Sequence, residues 1–240
     1  MIQFLEMLAL IIICKVAIIA VIVITLNTCF IFLKNEEKYT DLQRFKFVSW
    51  IMSWATPLLI FSKVEIEGYE IINQVEKGII YANHPSIFDV FALLKKVKRP
   101  HTYIAKAELG RMFFLRRGMP LLKCSLLDDN NPRSAVKTVN EAVKNVKEGL
   151  LTVIFPEGER LINAPIGMFK AGSFKVALKS KADIIPLTIY NTHLVKKRWP
   201  RPTPIKIKVH EPIPHEIYKD METPVIAKMV EKIVKQDLLL

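Results

Sequence analysis

The stretch GIIYANHPSIFDVFALLKKV, residues 78–97, decides the fold. Its first half, GIIYAN, is a short apolar run of the kind that forms a buried strand. Its second half repeats Ile87, Val90, Phe91 and Leu94 at helical spacing. Pro85 suits the first turn of that helix, because its φ is already helical and its missing N–H has no partner to lose there. A buried strand that runs straight into a helix predicts an α/β crossover unit. His84 then falls at the strand-to-helix junction, and Asp89 about one turn inside the helix.

The same alternation continues outward. KVEIEGYEII starts at Lys63 with a strand and a turn, and HTYIAK (101–106) is the next strand. NNPRSAVKTVNEAVKNVKEG (130–149) is a helix capped by Asn131, opened by Pro132 and stopped by Gly149, with Ala135, Val139, Ala142, Val143 and Val146 as its core stripe. LLTVIF (150–155) is an apolar strand, SFKVALKSK (173–181) a short helix and DIIPLTIY (183–190) a strand. IKIKVH (205–210) alternates as an edge or half-exposed strand, and TPVIAKMVEKIVKQ (223–236) closes with an amphipathic helix. These elements predict an α/β domain with a mostly parallel sheet flanked by helices, over residues 62–240.

Residues 1–61 read as a separate N-terminal membrane region. From Val16 to Leu33 no charged residue occurs, and 18 helical residues span roughly 27 Å, close to the hydrocarbon thickness of a bilayer. The start MIQFLEM carries no basic residue and no small-residue cleavage site follows, so a retained anchor is expected rather than a removed signal. Lys34, Lys38, Arg44 and Lys46 follow the run, which places everything after it on the cytoplasmic side. FVSWIMSWATPLLIF (47–61) is too short to span and is interrupted by Pro57. With Trp50 and Trp54 on one helical face, it is expected to lie at the membrane interface or to pack as a core helix.

The charge balance narrows the partners. The 240 residues carry a formal net charge of +12 and a mean hydropathy of +0.24, which points to an anionic partner beside a membrane. An anionic leaflet accounts for that charge better than nucleic acid does, so no nucleic acid is expected. The three cysteines form no CxxC pair or even-numbered framework, which argues against disulfides and a zinc site. Cys124 is expected to be a buried structural thiol. His101, His193, His210 and His215 are scattered and read as surface or loop residues.

Two clusters carry chemistry. A histidine that serves as a general base needs an acceptor to fix its tautomer, and a carboxylate one turn away supplies it. His84 and Asp89 fit that requirement, although a capping histidine beside a surface aspartate has the same spacing. FPEGER (155–160) follows an apolar strand, at the end where α/β folds build their sites. Gly158 allows close approach of a ligand, and Arg160 offers a planar fork for phosphate. Between them, AKAELGRMFFLRRG (105–118) interleaves cations with apolar residues, as a membrane-dipping surface or a basic helix with a core face does.

NHPSIFD (83–89) resembles the NHxxxxD motif of the glycerolipid acyltransferases. FPEGER resembles their FPEGTR motif, FKAGSFKVA the segment after it, AKAEL the opening of their second region, and IIPLTI their proline-containing fourth block. The motifs occur in the family's order over roughly residues 62–215. The chain is most similar to the bacterial 1-acyl-sn-glycerol-3-phosphate acyltransferases, with their membrane-associated N-terminal helices.

The resemblance implies transfer of an acyl group from acyl-CoA or acyl carrier protein to the hydroxyl of a lysophospholipid, giving phosphatidic acid without a metal or other cofactor. It implies His84 as general base, Asp89 as its orienting partner, and direct attack without an acyl-enzyme. Asn83, Lys106, Glu157, Gly158, Arg160 and Pro186 are implied substrate-site residues: Arg160 and Lys106 for the acceptor phosphate, Glu157 and Gly158 for the acceptor pocket, Pro186 for the strand beside the donor. The implied location is the bacterial inner membrane, with the catalytic domain on its cytoplasmic side. Two positions depart from the pattern. Glu159 stands where the family usually has threonine, and Asp129 where an arginine often follows an aspartate. Asp129 keeps another acceptor open, such as a lyso-ornithine lipid. A non-catalytic, basic membrane-binding module is the reading from a different class.

Overall fold

The computed structural model describes residues 27–35, 37–60, 63–112, 115–158, 166–198 and 201–238. Most of the expected anchor, together with Glu159 and Arg160, lies outside the described residues. Among those described, no helix is long and apolar enough to cross a membrane.

Seven strands form one sheet: β1 (Val64–Glu67), β2 (Gly78–Ala82), β3 (His101–Lys106), β4 (Ser125–Leu127), β5 (Leu151–Ile154), β6 (Asp183–Tyr190) and β7 (Ile205–Val209). The helices are α1 (27–33), α2 (Asp41–Ile60), α3 (Tyr69–Gln74), α4 (Phe88–Lys96), α5 (Leu115–Leu121), α6 (Pro132–Lys147), α7 (Lys175–Ser180), α8 (Leu194–Arg198), α9 (His215–Tyr218) and α10 (Thr223–Leu238). The strand order is β1-β7-β6-β2-β5-β3-β4. The block β6-β2-β5-β3-β4 is parallel throughout, as the alternation of strands and helices predicts. β7 runs antiparallel to β6, and β1 pairs with it in parallel. β7 is half-exposed as expected but is not an edge strand, because β1 covers its outer side.

β2 is buried on both faces and divides the core. Ile80 and Ala82 join a cluster with Phe45 and Val48 of α2 and with Ala92, Leu93 and Leu94 of α4. Ile79 and Tyr81 join the opposite cluster with α6, α7 and α10. Each large side chain buried in these layers contributes about 1.5–3 kcal/mol.

Three helices differ from their sequence patterns. α4 begins at Phe88, so Pro85 precedes it and Asp89 stands in its first turn. Asp89, Ala92, Leu93 and Leu94 are buried, whereas Ile87, Val90 and Phe91 are half-buried. A buried carboxylate holds the inward position at the helix start, and hydrophobic periodicity is blind to that. In α6, Ala135 is exposed and the polar Thr138 and Asn145 are buried instead. Thr138 donates to the Leu126 carbonyl (2.7 Å) and Asn145 to that of Lys123 (2.9 Å), which ties the helix to β4 and the turn before it. The predicted Asn131 cap is present, accepting from the Arg133 N–H at 3.0 Å.

α2 continues through Pro57 and starts earlier than the apolar pattern, at Asp41. One face packs on the domain: Phe45 and Val48 enter the core, and Ser49 donates to the Leu94 carbonyl at 2.8 Å. The opposite side leaves Trp50 and Trp54 58% and 68% exposed. The helix therefore packs on the domain through one face and leaves both tryptophans exposed on the other.

His101 is not a surface residue. It lies buried between Phe45 and Tyr103, with Nε2 2.8 Å from the Tyr103 hydroxyl and Nδ1 2.9 Å from the Arg99 carbonyl. Burial pushes its pKa down to about 4 from 6.5. Between those values the unfolded chain binds a proton that the folded protein refuses, so stability falls as pH falls. Acidification from pH 7 to 4 is expected to remove about 3 kcal/mol through this residue. Urea midpoints at pH 7 and 4.5 for wild type and His101→Gln check it: the variant loses that part of the slope.

Candidate active site

The central crossovers leave in opposite directions. The chain passes from β2 through α4 to β3, and α4 packs in one core layer. It passes from β5 through α7 to β6, and α7 packs in the other. The carboxyl ends of β2 and β5 therefore flank a topological switch point, where open α/β sheets form their crevice.

Asn83 and His84 leave the end of β2. Asn83 is fully buried; its Oδ1 accepts from the Ile189 N–H at 2.8 Å and its Nδ2 donates to the Ile189 carbonyl at 2.9 Å. The amide thus acts as one more rung between β2 and β6. His84 Nδ1 lies 2.8 Å from Asp89 Oδ2. An ionised carboxylate only accepts, so the tautomer it favours has the proton on Nδ1 and the lone pair on Nε2. The imidazole is 15% exposed and stacks on Phe155 at 4.0 Å between centroids.

Asp89 is held from several sides. Its Oδ2 also accepts from the Ser86 N–H at 2.9 Å. Burial raises its pKa above the ordinary carboxylate value; the His84 ring, the Thr192 hydroxyl and the Ser86 N–H oppose that rise. Asp89 Oδ1 and Thr192 Oγ1 are both buried without a hydrogen-bond partner among the described residues. Each is therefore the other's available polar neighbour. Thr192 follows β6 just after Asn191, whose φ of 68° turns the chain back.

The FPEG turn closes the second side. Glu157 is 4% exposed and bridges two backbones: Oε1 accepts from the His84 N–H (2.9 Å) and Oε2 from the Gly167 N–H (3.0 Å). Burial raises its pKa, while those N–H groups and the His84 charge lower it. Glu157 thus braces the histidine from behind. Gly158 has φ +74°, a conformation that L side chains rarely adopt, and the Lys170 side chain lies against its open face.

The other expected residues scatter. Lys106 ends β3 at the same edge of the sheet, with its ammonium 3.0 Å from Asp129. Pro186 is buried inside β6 opposite Tyr81. Between the Leu187–Val209 pair and the Ile184–Ile213 bridge, the segment after β7 has one residue more than β6. This bulge tolerates a proline that lacks an N–H. Cys124, just before β4, has its thiol pushed up to about 12 by burial, which makes it a poor nucleophile. Sequence reasoning missed Thr192, which nothing local marks, and Lys170, although Lys170 lies in the FKAGSFKVA segment that follows the FPEG turn.

The arrangement is an imidazole whose Nδ1 is held by a buried carboxylate, which leaves Nε2 as the ring nitrogen available to a substrate. It can take a proton from a hydroxyl. Residues 63–190 match the family model named Acyltransferase, and the chain belongs to that family. A Mycoplasma pneumoniae protein named "Probable 1-acyl-sn-glycerol-3-phosphate acyltransferase" is 30% identical over 213 residues, 82% of this chain and 75% of that protein. A coconut (Cocos nucifera) 1-acyl-sn-glycerol-3-phosphate acyltransferase is 30% identical over 159 residues, 65% of this chain and 51% of its own length. Against the coconut and Chlamydomonas reinhardtii relatives, the chain spans about half their length. The crystal structure of the 1-acyl-sn-glycerophosphate (LPA) acyltransferase PlsC from Thermotoga maritima superposes with a TM-score of 0.72 at 27% identity, covering 89% of this chain and 87% of that one.

Proposed function

We propose that the protein transfers a fatty acyl group from a thioester to the free hydroxyl of 1-acyl-glycerol-3-phosphate, producing phosphatidic acid. The observation that carries this reading is the His84–Asp89 pair, 2.8 Å apart at the crevice of an acyltransferase fold. The names of the relatives supply the acceptor. His84 Nε2 takes the hydroxyl proton as the oxygen attacks the thioester carbonyl. Asp89 stabilises the resulting imidazolium. The carbon–sulfur bond then breaks, and the imidazolium returns its proton to the leaving thiolate. The donor is acyl-CoA or acyl carrier protein. The apolar run before Asn35 anchors the chain in the bacterial inner membrane, with the domain cytoplasmic. The Trp50 and Trp54 face of α2 and the basic 105–118 segment rest on its anionic leaflet.

The Lys106–Asp129 ion pair favours a second reading, in which the acceptor is another lyso-lipid such as a lyso-ornithine lipid. One assay separates them: labelled acyl-CoA or acyl carrier protein is supplied with each acceptor and the lipid products are resolved. Labelled phosphatidic acid is expected; label appearing in the other lipid alone overturns the choice of acceptor.

Thr192→Val is expected to lower kcat by about tenfold at most with little change in KM, since the hydroxyl whose dipole favours the ionised Asp89 is lost. Loss of that hydroxyl raises the Asp89 pKa, so the acid limb of the kcat profile moves to higher pH. Thr192→Ser restores both, and a pH series on the three proteins checks this.

A further inference from the structure

We propose that Lys170 is a binding residue for the acceptor's phosphate monoester; this rests on the reaction proposed above and names a group on which it depends. Lys170 is locked to the FPEG turn through its backbone. Its N–H donates to the Pro156 carbonyl at 2.9 Å, and its carbonyl accepts from the Ser173 N–H (3.1 Å) and hydroxyl (2.7 Å). Its side chain lies across Gly158. A Cβ at that glycine would stand 2.6 Å from Nζ, 3.1 Å from Cε and 3.2 Å from Cδ. The glycine thus provides the space in which the ammonium rests on the turn.

That turn carries both supports of the histidine. Phe155 stacks on the ring, Glu157 holds the His84 N–H, and the Gly158 N–H bonds back to the Phe155 carbonyl at 3.1 Å. A glycerol backbone is short, so when its hydroxyl reaches His84 its phosphate falls on the residues around that ring. Of the two lysines at this edge, Lys106 is engaged by Asp129 at 3.0 Å. Lys170 makes no ion pair among the described residues and is exposed. A compact ammonium over a tight turn is suited to a phosphate dianion.

Two measurements test this. Initial rates are compared for wild type, Lys170→Met and Lys170→Arg with lysophosphatidic acid and with monoacylglycerol, which lacks the phosphate. Lys170→Met is expected to raise KM for lysophosphatidic acid by about tenfold or more, with kcat and the donor KM nearly unchanged. Lys170→Arg recovers most of the loss, and any monoacylglycerol rate is unaffected. Equal losses on both acceptors, a shift in the donor KM instead, or no change overturn the assignment. Calorimetric binding of lysophosphatidic acid is also compared in His84→Ala with and without Lys170→Met. A tenfold weaker Kd in the double variant supports the phosphate contact even where wild type forms no phosphatidic acid, an outcome that overturns the proposed reaction alone. Equal affinity, or no binding by either protein, overturns the contact.

Discussion

His84→Ala is expected to lower kcat by about four orders of magnitude or more while leaving the fold intact. The imidazole is the group at the crevice able to take the acceptor's proton, and removal of a general base in a coupled pair eliminates nearly all chemistry. The ring adds one stacking contact with Phe155, and the braces on the His84 backbone come from Glu157, which remains. Far-ultraviolet circular dichroism and the urea midpoint should therefore stay close to wild type. KM for the acceptor should change little, because the histidine acts on the proton rather than on the headgroup. Rates of phosphatidic acid formation, measured to a sensitivity of 10⁻⁵ of wild type, decide the matter.

The second large effect is expected at Asp89. Asp89→Asn keeps the shape but replaces an acceptor with an amide that also donates. The amide nitrogen facing His84 would force the proton onto Nε2, the atom that has to accept one. If the amide turns its oxygen to the ring, the imidazolium loses its stabilising charge. A fall in kcat of about three to four orders of magnitude follows from the corresponding change in a catalytic triad. Asp89 is fully buried, so urea titration must accompany the rates. A rate within tenfold of wild type would remove Asp89 from the mechanism.

The parallel sheet was legible because β2, β5 and β6 are short apolar runs between helical patterns, and β3 and β6 coincide with their patterns; the three-residue β4 went unread. The histidine–aspartate pair was legible because it is local. Reading α4 failed where a carboxylate takes an inward position, and reading α6 failed where Thr138 and Asn145 are buried to satisfy distant carbonyls. The two differ in cause: Asp89 is satisfied by its near neighbours His84 and Ser86, whereas Thr138 and Asn145 are satisfied by carbonyls of β4 and the turn before it, which only the fold supplies. The same holds for the site. Glu157 was expected in the acceptor pocket, yet its two oxygens hold the His84 and Gly167 backbones. Thr192 comes to Asp89 from the end of β6, and Lys170 lies against the FPEG turn from the segment after β5, positions that spacing along the chain does not reveal.

In the proposed reaction the lysophosphatidic acid hydroxyl attacks the thioester directly, and rapid mixing of enzyme with acyl thioester, with and without that acceptor, tests this most directly through thiol release. The predicted result is negligible release without acceptor and, with it, release equal to phosphatidic acid formed. A burst of one thiol per enzyme without acceptor, or release indifferent to lysophosphatidic acid, would contradict it.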